Sequence, residues 1–428
     1  MTLTRRSFLS MTAIATTLAA AAACGSKDSG GTAAGASGGP SAEASSGTVR
    51  DANADLVIWA DEKKAPSIQE FATKWGQDQG GLTVAVQVVA ENLQENFVTA
   101  DSTGNGPDIV IGAHDWIGKL VQNNAIAPVV LSEKAQANYS DMALKAVTYN
   151  DQIYGAPYSV EALALYVNKG LTSKTAPATV EELVEAGRAA GTDEVLALPV
   201  GDEGNAYFMQ PFYSSAGGYL FGTYSDGTYD TEDLGIGAEG SVTAGTKMAA
   251  LAREGVLKTS ISTDNATDLF TTGRTPYLIS GPWSLSGVKE AGIDYAIAKI
   301  PGFEGMNEAV PFAGVNVFYV AQNGSNRSIA ESFIADVAKD STVAEAMFAK
   351  NELPPAQEDL AEKLKSSNPD MVTFFDIASS APPMPSIPEM AEIWTPLERA
   401  EANIINGKND PESAMEDAGA SIKSALAI

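Results

Sequence analysis

The chain of 428 residues sets 54 acidic side chains against 27 basic ones, and its formal net charge of −27 repels phosphate backbones, which argues against nucleic acid as a partner. A hydrophobic content of 44% is that of a globular protein, and the length suits two ordinary domains or one two-lobed unit. A single cysteine and a single histidine exclude a disulfide framework and a histidine-rich zinc site, leave little room for a catalytic triad, and give no reason to expect a metal or cofactor.

The first element is an export segment. Arg5 and Arg6 precede an apolar run to Ala23, and no acidic residue occurs before Asp28. That run is too short for a comfortable membrane span. It ends in Ala21-Ala22-Ala23-Cys24-Gly25 and resembles a bacterial lipoprotein signal, in which Cys24 becomes the acylated first residue. Ala21 stands where such signals usually carry leucine. The paired arginines resemble a twin-arginine export signal, without the lysine often found near Ser10. Residues 1–23 are read as a signal peptide and Cys24 as the lipidation site, which tethers the protein to the outer face of a membrane. From Gly25 to about Asn53 the composition is mostly Gly, Ala, Ser and Thr. Residues 24–54 are therefore expected to be a flexible linker with a root-mean-square span of roughly 30 Å. No later stretch reaches the apolar length of a membrane helix.

The body opens with Asp55-Leu56-Val57-Ile58-Trp59-Ala60, which reads as a buried strand. Pro66 to Gln77 follows as an amphipathic helix with proline in its first turn. Leu82, Val84, Val86 and Val88 alternate as in a strand, and Asp108-Ile109-Val110-Ile111 is a short buried strand running into a loop. Thr179-Val180-Glu181-Glu182 forms a capping box before a helix, and Asp410-Pro411 opens the last one. This alternation predicts an α/β fold with mainly parallel sheets.

Aromatic and carboxylate residues recur past the ends of these strands. The segments are Trp59-Ala60-Asp61-Glu62-Lys63-Lys64, Ala113-His114-Asp115-Trp116, Pro157 to Leu163, Asn205-Ala206-Tyr207-Phe208, Gly281-Pro282-Trp283 and Ile393-Trp394. Ligands of open α/β sheets sit outside the carboxyl ends of strands, so these segments can converge on one cleft. Their order and spacing resemble the maltose/maltodextrin-binding protein family, the solute-binding components of ATP-driven carbohydrate importers. The likeness runs from about Asp55 to the C-terminus. Its most specific pieces are Gly104-Asn105-Gly106-Pro107-Asp108-Ile109 leading to Ala113-His114-Asp115, Val160-Glu161-Ala162-Leu163, Gly281-Pro282-Trp283, and Met384 to Met390.

The residue types also suit a sugar. Aromatic rings cover the C–H faces of a pyranose, and carboxylates take its hydroxyls in charge-assisted hydrogen bonds. Asp115 and Glu161 would accept, Lys63 would donate, and Tyr207, Trp283 and Trp394 would stack. Asp115 could instead cap the helix starting at Trp116. Glu161, set between apolar residues, calls for a ligand or a buried partner. Trp283 and Trp394 could be core residues. The resemblance implies a ligand-binding set of Glu62, Lys63, Glu95, Asp115, Trp116, Glu161, Asn205, Tyr207, Trp283, Met384 and Trp394, and assigns His114 to a structural loop, not to catalysis.

The chain departs from the family pattern at several of these positions. Gly112 replaces the tryptophan before Ala-His-Asp, and Trp116 replaces the arginine common after it. Asn205 stands for an acid, Thr395 and Glu398 for tyrosine and arginine, and Asn92, Gln94 and Glu95 occupy positions that are more charged elsewhere. The ligand therefore need not be maltose.

The resemblance further implies a type II periplasmic-binding-protein fold with a ligand cleft between two lobes. Lobe one takes residues 55–159 plus 318–365, and lobe two takes 164–312 plus 370–428. Crossings fall near Ser159–Leu163, Gly314–Phe318 and Ser366–Asp370. The expected protein is a monomeric, non-enzymatic receptor that delivers a sugar or oligosaccharide to a membrane permease of an ABC importer. No phosphate-binding loop places the ATPase on this chain. Two alternatives stay open on sequence: an exported glycoside hydrolase working through two carboxylates, and a receptor for a cationic solute such as a polyamine.

Overall fold

The computed structural model describes residues 49–225, 228–339 and 341–428. Cys24, the export segment and all of the linker before Val49 lie outside the described residues.

Strand β1 (Leu56–Ala60) is buried along its whole length, as a strand covered on both faces must be. Helix α1 (Ala65–Asp78), with Pro66 in its first turn, leads to β2 (Val84–Val88). Helix α2 (Leu93–Ser102) leads to β3 (Ile109–Ala113). Both neighbours run parallel to β1, with Ile58 opposite Val86 on one side and Ile109 on the other.

The expectation of mainly parallel sheets does not extend past these three strands. Beyond α3 (Ile117–Gln122) come β4 (Gly155–Ala162) and β5 (Ala164–Asn168), separated only by Leu163. β6 (Tyr277–Ser280) and β7 (Tyr295–Ala298) both pair antiparallel with β5. The nine buried residues of β8 (Ala313–Ala321) return antiparallel to both β3 and β4. Parallel neighbours need a crossover, which α1 and α2 supply. The later strands come from distant parts of the chain and re-enter without one, so they pair antiparallel.

The β4–β8 pair is continuous from Ala162–Ala313 to Gly155–Tyr319, broken by a register shift between Asn316 and Val317. One end of β4 thus lies in the first sheet, and its other end leads directly into β5 of the second.

Two apolar cores flank this passage. The first gathers Trp59, Phe97, Phe318 and Phe333, with Tyr166 and Phe374 extending it towards one face of the second sheet. The second gathers Leu165, Met209, Phe212, Met248, Tyr277 and Met415. The helices of the second core are α4 (Val180–Ala189), α5 (Ala206–Ser215), α6 (Glu239–Arg253), α7 (Trp394–Ile405) and α8 (Pro411–Leu426). Thr179 caps α4 by accepting from the Glu182 N–H at 3.1 Å, and Asp410 caps α8 through Ser413 at 3.1 Å.

The folded body begins earlier than the composition suggests. Arg50 reaches the fully buried Asp108 at 2.7 Å, and Gln87 accepts from the Asp51 N–H and donates to the Val49 carbonyl. Asp108 also accepts the N–H groups of Val57 and Asn326, both at 2.8 Å. Residues 49–54, assigned to the linker by composition, are therefore pinned to the first sheet by a buried carboxylate that composition does not reveal. Among the described residues no helix is long and apolar enough to cross a membrane.

Candidate functional site

The site grows out of the β4–β8 crossing. Glu161 faces Gly314 across the ladder, and a Cβ at Gly314 would stand 2.7 Å from the Glu161 side chain. The missing side chain leaves room for the carboxyl to lie over the strand. Asn316 fixes it there, donating to Glu161 at 3.0 Å and to the Ser159 hydroxyl at 3.1 Å. Burial raises the affinity of Glu161 for its proton, and Lys64 and Asn316 oppose that rise. Lys64 itself pairs with Asp61. Burial works against the charge of Asp61, yet Lys64 and the Lys63 and Lys64 N–H groups hold it below the usual carboxylate range.

An aromatic wall rises beside this floor. Tyr207 and Phe208 open α5, and Trp283 lies 6.5 Å and 6.2 Å from their ring centres. The Trp283 ring folds back over Gly281, where a Cβ would stand 2.1 Å from it. Behind the ring, the Ser284 hydroxyl meets those of Ser280 at 2.7 Å and Thr267 at 3.0 Å. The Tyr207 hydroxyl is buried without a protein partner, and Glu161 and Asp115 both act on it.

Asp115 sits in the one-turn helix His114–Trp116 that follows β3. One of its oxygens is buried without a partner, while its carboxyl takes a hydrogen bond from Trp394. Burial pushes Asp115 up to about 6. His114 holds the turn in place. Its Nδ1 accepts the Val315 N–H at 3.1 Å, so its Nε2 carries the proton and donates to the Met384 carbonyl at 3.1 Å. Full burial depresses this imidazole to about 4, which leaves it neutral and structural, as the resemblance implies. Trp116 occupies the space over Gly112, where a Cβ would meet its ring at 2.2 Å. The ring at position 116 thus fills the place that a side chain at position 112 would take.

A cavity of about 680 Å³ joins the floor to the aromatic wall. Four of the expected residues line it: Lys63, Glu161, Tyr207 and Trp283. Asp115 and Trp394 meet each other beside Tyr207 and do not line this cavity. Glu62 is exposed in the turn after β1, and Glu95 is exposed on α2, paired with Lys119 of α3 at 3.4 Å. Asn205 spends its side-chain oxygen on the Phe208 N–H, as the cap of α5. Met384 is a correction to the expected set: its side chain is 7% exposed and belongs to the second core, and only its carbonyl meets the site, through His114. Lys64, Phe208, Asn316, Lys350 and Leu353 line the cavity and were not in the expected set. Phe208 could have been found from its place beside Tyr207. Asn316 had no local signal, since its role depends on a strand pairing across 155 residues.

The arrangement offers hydroxyl acceptors, a cationic lip and stacking faces. Among the described residues no group of three or more His, Cys, Asp or Glu side chains is placed to hold a metal.

Comparison with known proteins agrees with this arrangement. The family model described as bacterial extracellular solute-binding protein matches residues 68–373, and the chain belongs to that family. A galactooligosaccharide-binding protein of Bacillus subtilis (strain 168) is 28% identical over 86% of this chain and 89% of its own length. A maltodextrin-binding protein of the same organism is 28% identical over 85% and 88%. A maltotriose-binding protein of Pyrococcus abyssi (strain GE5 / Orsay) is 25% identical over 84% and 78%. These relatives are binding proteins, in keeping with a receptor and not a hydrolase.

Proposed function

We propose that this extracellular solute-binding protein captures a neutral oligosaccharide in the cavity between Glu161 and Trp283 and delivers it to the permease of an ABC importer. The observation that carries this reading is the meeting of stacking faces with acceptors that lack partners. Tyr207, Phe208 and Trp283 form one continuous wall, and the Tyr207 hydroxyl and an Asp115 oxygen are buried with nothing to bond. Leaving such groups unpaired costs about 1–3 kcal/mol each, and sugar hydroxyls would satisfy them. The cavity lies within the 300–1,000 Å³ range of small-molecule sites. Lys63, Lys64 and Lys350 on its lining disfavour a polyamine.

The relatives divide between galacto- and maltooligosaccharides, and both classes are candidates here. The binding set we propose is Lys63, Asp115, Glu161, Tyr207, Trp283 and Trp394, with Glu62, Glu95, Trp116 and Asn205 at its margins. The two lobes are residues 55–159 plus 318–365 and residues 164–312 plus 370–428, and a bound sugar closes them on each other. The receptor acts as a monomer, anchored at the outer face of the membrane through acylated Cys24.

A thermal-shift screen with maltose, maltotriose, galactobiose, galactotriose and spermidine tests the reading. A ligand at a hundred times its dissociation constant adds about 2.7 kcal/mol of stability. Stabilisation by one oligosaccharide series and not by spermidine is expected. Stabilisation by spermidine alone would overturn the proposal.

A further inference from the structure

Two carboxyl groups behind the aromatic wall tie its supporting helices together. Glu398 and Glu401 lie about one turn apart on α7, and both reach the start of α5. Glu401 is fully buried, accepting the Asn205 N–H and the Tyr213 hydroxyl, each at 3.0 Å. Glu398 accepts the Ala206 N–H. Gly204, with φ +90°, runs so close to α7 that a Cβ would stand 1.9 Å from the Glu398 carbonyl oxygen. Tyr207 follows Ala206 directly, and Trp394 precedes Glu398 by four residues, on the same face of α7.

The surroundings supply further acid and no compensating cation. Glu401 feels Glu398, and Glu398 feels Glu203 in the loop ahead of α5. From α8, the Met415 sulfur lies 3.9 Å from the Tyr213 hydroxyl. From α6, Gly245 faces Ile404 and Met415, and the turn Pro388–Glu392 contributes the buried Met390. Burial, reinforced by the neighbouring acids, pushes Glu398 up to about 7 and Glu401 up to about 8. The neutral form of Glu401 keeps its bonds: it donates to the Tyr213 oxygen while that hydroxyl turns to Met415.

On the reading of the cavity as an oligosaccharide site, on which this inference rests, we propose that Glu398 and Glu401 are positioning residues. They form a brace that sets the ring-bearing starts of α5 and α7 and makes ligand affinity fall when both ionise. Two buried negative charges a turn apart, with Glu203 nearby, relieve their repulsion only by parting the two helix starts, which moves Trp394 away from Tyr207. The acid side of the profile belongs to Asp115, which must ionise, at about pH 6, to accept a hydroxyl in a charge-assisted bond. Affinity is therefore bell-shaped in pH.

Calorimetric titration of the full chain with maltotriose and with galactotriose, from pH 5 to pH 9, tests this in the wild type, Glu398→Gln and Glu401→Gln. The wild type should bind most tightly near neutrality and lose about five- to tenfold in affinity by pH 9, for a coupling of up to one pKa unit. Each glutamine variant should lose this alkaline loss and keep the acidic one. A wild-type profile that is flat above pH 7, or an alkaline loss unchanged in both variants, would overturn the brace. If neither sugar binds at any pH, the choice of ligand is at fault, and tryptophan emission of the free protein decides instead. A change between pH 7 and pH 9 that Glu401→Gln abolishes supports the brace, and identical traces refute it.

Discussion

Trp283 keeps 37% of its surface exposed although its ring is locked over Gly281 and against Phe208, as suits a face held ready for a ligand. Trp283→Ala should weaken sugar binding by about 1–3 kcal/mol, ten- to a hundredfold, with little change in the unfolding midpoint. Met384→Ala should do the reverse, costing about 2–5 kcal/mol of stability with affinity nearly kept, because its side chain fills the second core. Calorimetry and urea unfolding on both variants separate the two roles. Glu161→Ala should weaken binding by about 1.5–3 kcal/mol through loss of a charge-assisted bond, and Glu161→Gln by less, since an acceptor survives. At this scale the sequence was legible where chemistry forces an outcome. A carboxylate between apolar residues, as at Glu161, needs a partner, and a tryptophan beside two small residues has a place to lie. Asn205 and Met384 were less legible, because whether a side chain turns to the cavity, to its own helix or to the core depends on backbone direction. Asn205 turns to the Phe208 N–H and Met384 to the core.

The elements tell a similar story. Strand β1, helix α1 and the Asp410 cap lie where the apolar pattern and capping residues put them. The antiparallel return of β8 was not legible, because local pattern carries no record of which distant strand a segment meets. Nor was the docking of Arg50, whose partner Asp108 lies 58 residues away. Arg50→Ala should cost about 1.5–3 kcal/mol in urea unfolding, by stripping a buried carboxylate of its charged donor while its backbone donors remain. Helix α7 predicts a pH dependence of stability. The folded protein holds protons on Glu398 and Glu401 that the unfolded chain releases near the ordinary value of 4.5. Their contribution is whole below that value and is lost as pH rises through about 7 and 8. The opposite contribution of His114, which favours the neutral imidazole, is complete above its ordinary value of 6.5 and does not interfere there. The urea midpoint should therefore fall between pH 6.5 and 8.5, and Glu401→Gln should flatten the fall.

For the whole molecule, an acidic body with its lysines Lys63, Lys64 and Lys350 gathered at one cavity suits a receptor that meets a neutral, hydroxylated ligand. The sequence made this scale legible through the order of short segments, none of which is specific alone. Cys24→Ser should release the protein from membranes or leave it unprocessed, as fractionation and mass spectrometry of the N-terminus would show. The central claim is that an oligosaccharide binds between the Glu161 floor and the Trp283 wall and leaves unchanged. Calorimetric titration of maltotriose and galactotriose into the wild type, Trp283→Ala and Glu161→Ala, with chromatography of the recovered sugar, tests it most directly. The account predicts saturable one-to-one binding of at least one sugar, recovered intact, and weakened in both variants. Binding that both variants leave untouched, or a sugar recovered cleaved, would contradict it.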